Sequence, residues 1–225
     1  YRYYFLYTLI GYPKIFDPAS PLKDSAISTF QELSTRIGPD RVVWRYDPVL
    51  LTDLTTIQWH QDRMDFLARS LKGFTHKMIF SFVIDYSHAK ARYQNVKDRG
   101  VQFLSKGDLF NQQKALAEWI GRTLPKYGVQ PSICADRRDW SAYGIEKARC
   151  IERELINHLT GGARKYRKDP AQRADCLCAA SRDIGAHDTC LARCFYCYAS
   201  KDFQTARNNF TAHDPCSEYL ICPEV

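Results

Sequence analysis

Long apolar runs are missing from this chain. No stretch of its 225 residues approaches the ~20 consecutive apolar residues that a membrane-spanning helix requires. The most hydrophobic run, Tyr3 to Ile10, opens with aromatics and has strand length, so the composition argues against a membrane protein. A basic leader followed by an apolar stretch and a small-residue cleavage site is also absent, which predicts a cytoplasmic location. The nine cysteines then read as thiols in a reducing compartment rather than as a disulfide framework, and their odd number agrees. The first residue is Tyr1, not Met, and the chain starts directly in a β-rich run, which predicts a further segment upstream. Disorder is excluded by what is present: 45% hydrophobic and 25% charged residues suffice for one compact core. The formal charge of +7 is a mild basic excess, compatible with an anionic ligand or a nucleic acid without requiring either.

A repeating pattern organises the first two thirds. Tyr3 to Leu9 is aromatic and apolar, and after the Gly11 and Pro13 break Ile27, Phe30, Leu33 and Ile37 recur at helical spacing. "RVVWRYD" at 41–47 reads as a second strand, followed by Ile57, Met64, Leu67 and Leu71 on one helical face. "MIFSFVI" at 78–84 reads as a third, and Leu109, Leu116, Trp119, Ile120 and Leu124 mark a longer amphipathic helix before a fourth strand at 129–134. Strands alternating with helices predict a parallel α/β sheet with right-handed crossovers: a (β/α) barrel of TIM type, whole or partial, with a doubly wound open sheet as the alternative. Residues 1–164 form this core, and 165–225 read as a cysteine-rich C-terminal region with little regular structure. Gly161-Gly162 reads as a helix terminus.

Parallel folds collect functional groups at the carboxyl ends of their strands. Alternation places Val43, Arg45 and Asp47 on one face of the second strand, with Pro48 ending it, and Ser81, Val83 and Asp85 on one face of the third. Thr8 ends the first strand and Cys134 the fourth. Arg45, Asp47 and Asp85 are therefore candidate catalytic residues, the plainer account being an internal Arg45–Asp47 ion pair and loop-capping carboxylates.

Cys190, Cys194 and Cys197 stand within eight residues at C-x-x-x-C-x-x-C spacing. Thiolates are soft ligands for iron-sulfur clusters and zinc. Four close a structural zinc site, whereas three leave a position open, unless His187 or another cysteine completes a zinc knuckle. Cys134, Cys150, Cys176 and Cys178 form a second, dispersed quartet whose number suits a second 4Fe-4S cluster or a zinc site, or else pack as small hydrophobes. The tail thiols Cys216 and Cys222 read as incidental. "ARKYRK" at 163–168 is a basic run, read either as a solvated loop or as a phosphate contact.

Cys190-Leu-Ala-Arg-Cys194-Phe-Tyr196-Cys197 resembles the cluster loop of radical S-adenosylmethionine (SAM) enzymes. The wider pattern resembles a bacterial family of unknown function, the domain of unknown function 1848 family, whose C-terminal cysteines are similar to that loop. Gly11-Tyr12, "VVWRYDPVLLT" at 42–52, "SFVIDY" at 81–86, "QRADCLC" at 172–178, "SRDIG" at 181–185 and "HDP" at 213–215 carry this second resemblance. It implies a 4Fe-4S cluster on Cys190, Cys194 and Cys197, SAM on the vacant iron with Tyr196 beside the adenine and Thr8 at the same cofactor, an electron donor such as ferredoxin or flavodoxin, and an unidentified substrate. Two other functions remain open at this point: a non-catalytic iron-sulfur protein for electron transfer or structure, and a zinc-stabilised nucleic-acid-binding module.

Overall fold

The computed structural model describes residues 2–20, 23–83 and 90–221. The chain divides into two compact units: Tyr1–Ile10, Lys23–Val83 and Gln102–Ser181 make the first, and Gly11–Leu22, Ile84–Val101 and Arg182–Val225 the second.

The first unit is built on five parallel strands in sequential order: β1 (Phe5–Thr8), β2 (Val42–Val49), β3 (Lys77–Phe82), β4 (Gln130–Ile133) and β5 (Glu146–Lys147). Helices α1 (Lys23–Ile37), α2 (Ile57–Ser70) and α4 (Lys106–Thr123) lie in the connections; α3 (Lys90–Asp98) belongs to the second unit. Parallel pairing sets Phe5 against Val42, Trp44 against Met78 and Phe80 against Ile133, so residues of one parity share a face across all the strands. Tyr7, Trp44, Tyr46, Met78, Phe80, Phe82 and Ile133 stand on the face covered by helices: the Tyr7 ring meets Phe30 of α1 edge-on, and the Tyr46 hydroxyl bonds His60 of α2. Trp44, Tyr46, Met78 and Phe80 are wholly buried there, with Met64, Leu67 and Leu116 from the helices. The other face carries Leu6, Thr8, Val43, Arg45, Asp47, Ile79, Ser81 and Cys134, with a small apolar cluster of Val43, Ile79 and Ala148 under Tyr4, Leu6, Cys134 and Cys150.

The α/β class and the strands near residues 3, 41, 78 and 129 agree with the sequence reading; a closed barrel does not. Among the described residues the sheet has two free edges, β1 and β5, because five strands fall short of the eight that close such a barrel around filled side-chain layers. Pro48 does not end β2. The strand continues to Val49 with its register against β3 shifting between Tyr46 and Val49, since proline supplies no N–H to the ladder there. β5 was not anticipated, nor was α6 (Phe203–Ala212), which begins where the Asp202 carboxylate accepts the backbone N–H groups of Gln204 and Thr205. Gly161 ends α5 (Arg153–Thr160) in the left-handed conformation, φ 66°, as a helix terminus requires. No helix among the described residues is long and apolar enough to cross a membrane.

In the second unit Tyr12, Phe16, Val96, Val101, Phe195 and Ala206 are buried. Phe195 packs against the Phe16, Tyr93 and Tyr196 rings.

His60 is the buried polar link of the helical face. Its Nε2–H donates to the Leu50 carbonyl at 2.8 Å and its Nδ1 accepts from the Tyr46 hydroxyl at 2.8 Å, a pattern that fixes the neutral tautomer. Burial lowers its pKa from 6.5 to about 4. The unfolded chain therefore binds more protons between those values, and stability is full above pH 6.5 and lost as pH falls toward 4. The loss attributable to His60 should approach roughly 3 kcal/mol. Denaturant unfolding at pH 7 and pH 5 should show a smaller pH dependence in His60→Gln than in the parent; an equal dependence would remove His60 as its source.

Candidate functional site

On the open face of the first unit, Arg45 and Asp47 point the same way from β2, and Ser81 joins them from β3. The Arg45 Nε–H donates to Asp47 at 2.8 Å, the guanidinium makes a second bond to the same oxygen, and the Ser81 hydroxyl donates to the other. The plain ion pair is thus formed, with Asp47 the more buried partner. Thr8 is exposed at the end of β1, opposite Arg45 in register. Asp85 lies outside the described residues.

Beyond these strands the dispersed cysteines come together. The Cys134 N–H donates to the Phe80 carbonyl, extending the β4 ladder by one residue, and its sulfur lies 3.7 Å from that of Cys150, just past β5. The Cys178 sulfur accepts the Ile151 N–H at 3.5 Å, and its pKa is shifted by the neighbouring thiols of Cys150 and Cys176. Cys134, Cys150, Cys178 and Cys176 are thus neighbours at the end of β4 and the turn after β5. Hydrogen bonding between neighbours splits their acidities. The bond with Cys150 lowers Cys134 and pushes Cys150 itself up to about 12. Cys178 is raised by the same neighbour, and Cys176 by burial. The Tyr4 hydroxyl secures the turn by donating to the Cys150 carbonyl at 2.7 Å and accepting the Glu152 N–H at 3.0 Å.

In the second unit residues 188–201 form a loop whose ends are tied by Asp188. Its N–H donates to the Ala199 carbonyl and its carboxylate accepts the Lys201 N–H at 2.6 Å, an Ω-like closure. Arg92 of α3 holds the centre: its guanidinium donates to the carbonyls of Phe195 (2.8 Å), Ser200 (2.7 Å) and Lys201 (3.3 Å), and to that of Cys197. Arg193 adopts a left-handed conformation, φ 60°, that reverses the chain before Cys194. The Cys197 N–H closes a turn on the Cys194 carbonyl at 3.1 Å. Tyr196 donates its hydroxyl to Asp17 at 2.9 Å and sets its ring edge-on to Tyr12. Burial raises the pKa values of Asp17, Cys194 and Tyr196, the last two further through the Asp17 carboxylate. Cys194 also feels the charge of Cys197, while Cys190 is exposed at the loop's edge.

All seven of these cysteines are free thiols. Among the described residues no three His, Cys, Asp or Glu side chains are gathered as closely as a bound metal ion would hold them. Asp17, Arg92 and Tyr4, which support the two cysteine groups, escaped the sequence reading. None belongs to a spacing motif, and the charged Asp17 gives no sign in the sequence that it is buried.

An open parallel α/β sheet, with one helix-covered face and free thiols gathered at its strand ends and on a clamped loop, defines the class. The chain belongs to the family described as Domain of unknown function (DUF1848), whose model matches residues 1–199. No curated protein and no solved structure matches it.

If Arg92 is the clamp of the cysteine loop, Arg92→Ala should leave three or more carbonyls without their charged donor, at about 1.5 to 3 kcal/mol per bond. Amide hydrogen exchange in residues 194–201 should accelerate at least tenfold with the first unit unaffected; unchanged exchange in that loop would show that it is held by other contacts.

Proposed function

We propose that the chain is an iron-sulfur protein of the radical SAM type, its 4Fe-4S cluster held by Cys190, Cys194 and Cys197 with one iron left to a small molecule. The construction of the loop carries this reading. Its fixed points are backbone carbonyls bonded by Arg92, the Asp188 closure, and the Phe195 and Tyr196 rings, so the three sulfurs have no disulfide to maintain. Such a cluster, when bound, supplies one electron that splits SAM into methionine and a 5′-deoxyadenosyl radical able to take hydrogen from a substrate.

The chain's own residues have the remaining tasks. Tyr196, anchored through its hydroxyl, offers an aromatic ring beside the cluster loop for the adenine. Thr8, Arg45 and Asp47 present polar groups at the carboxyl end of a sheet that we take as a partial barrel. The substrate and the ferredoxin- or flavodoxin-like donor follow from this reading and not from any contact in the fold.

Protein purified without oxygen should be brown and contain iron with equal sulfide. Added SAM should perturb the electron paramagnetic resonance spectrum of the reduced cluster and release 5′-deoxyadenosine. Cys194→Ala should lose about four irons per chain. Iron content unchanged by that substitution would overturn the assignment, and an iron centre indifferent to SAM would reduce it to electron transfer.

A further inference from the structure

The second cysteine group belongs to the first unit and rests on separate observations. We propose that Cys134, Cys150, Cys176 and Cys178 together ligate a second, closed metal centre, an all-thiolate site without an open position, within the first unit.

Four positions spread over 45 residues of sequence are brought to one place after β4 and β5, with the Cys134 and Cys150 sulfurs 3.7 Å apart and the Cys178 sulfur accepting the Ile151 N–H next to Cys150, where Cys150 and Cys176 both shift its pKa. Cys134 and Cys150 lie over the apolar cluster of Val43, Ile79 and Ala148, yet their sulfurs also face each other. The segment that delivers two of them has few other anchors. Between residues 165 and 181 the buried residues are Asp169, Cys176, Cys178 and Ala179, with no large apolar side chain among them. One backbone bond, from the Ala179 N–H to the Ile151 carbonyl, ties it to the turn after β5, while the bonds from Asp169 to Cys178 and from Ala180 to Arg167 close the segment on itself. An irregular stretch without an apolar anchor gains most from a metal staple.

Charge points the same way. Four thiolates around a divalent metal or a 4Fe-4S core leave a net negative centre, which needs cations nearby. A cavity of about 140 Å³ beside Cys178 is lined by Arg149, Arg153, Arg167 and Lys168. Neutral thiols have no use for that concentration of positive charge. The Ile151 N–H aimed at the Cys178 sulfur is the kind of bond that stabilises a ligating thiolate. Binding exchanges four S–H protons, released to solvent, for metal–sulfur bonds. The chemistry is thiolate ligation of a thiophilic metal, delivered either as a 4Fe-4S cluster or as zinc.

The test separates this centre from the open cluster. In a Cys190→Ala/Cys194→Ala/Cys197→Ala variant of the full chain, anaerobic metal and sulfide analysis should still find about four irons with sulfide, or about one zinc, per chain. The ratio identifies which. Adding Cys178→Ser should abolish that residue of metal. Loss of all metal in the triple variant, from a parent that holds it, would overturn the proposal while leaving the open cluster intact. The converse failure, metal unchanged between the parent and the triple variant, would strike the open cluster alone. Because Cys178→Ser itself bears on folding, the parent offers a second readout: alkylation of the native metal-loaded protein should spare Cys134, Cys150, Cys176 and Cys178, and chelation should expose them at least tenfold. Equal alkylation before and after chelation would contradict a centre there.

Discussion

Everything in the first unit depends on the register of its parallel ladder. Trp44 pairs with Met78 and Phe80 with Ile133, so the aromatic side chains Trp44, Tyr46, Phe80 and Phe82, with Met78 and Ile133, all stand on the helix-covered face, and their neighbours in sequence face away. A slip of one residue would bury Arg45 and Asp47 under α2 and expose Trp44 and Tyr46, an exchange no helix packing could offset. The same alternation brings Arg45, Asp47, Ser81 and Cys134 to one face. Burial of the aromatic side therefore determines the composition of the polar side.

The two cysteine groups are built by opposite means. The loop at 188–201 is set by its backbone: one guanidinium collects several carbonyls, an aspartate joins the ends, and Phe195 and Tyr196 turn inward. Its sulfurs carry no disulfide and make only light local bonds, Cys190 accepting the Ala192 N–H at 3.5 Å, which suits a centre that must exchange a ligand. In the quartet the Cys134 and Cys150 sulfurs meet, and Cys176 and Cys178 come beside them from a segment lined by arginines and a lysine and short of apolar anchors. That arrangement suits a centre with no vacancy.

Legibility followed the length and periodicity of each signal. β1 to β4 could be read because their apolar content covers four to eight residues; β5, two exposed polar residues, carries no alternation and exists through its bonds to β4. α6 had a signal in Asp202, a helix-starting residue, that the surrounding cysteines obscured. The Arg45–Asp47 pair was readable from an i, i+2 spacing, whereas its Ser81 donor comes from another strand. The spacing of Cys190, Cys194 and Cys197 is a local feature. Arg92, about a hundred residues earlier, is not.

By itself, then, the sequence determined the α/β class, the order of the main strands, the parity that separates aromatic from polar faces, and the close grouping of three cysteines, since these follow from patterns within a few residues. The tertiary structure decided that the sheet stays open, that Cys134, Cys150, Cys176 and Cys178 meet, and that Asp17 and Arg92 hold the cysteine loop. Those outcomes depend on strand register and on buried bonds between distant segments, and such pairings are energetic results of the whole fold that no local pattern records.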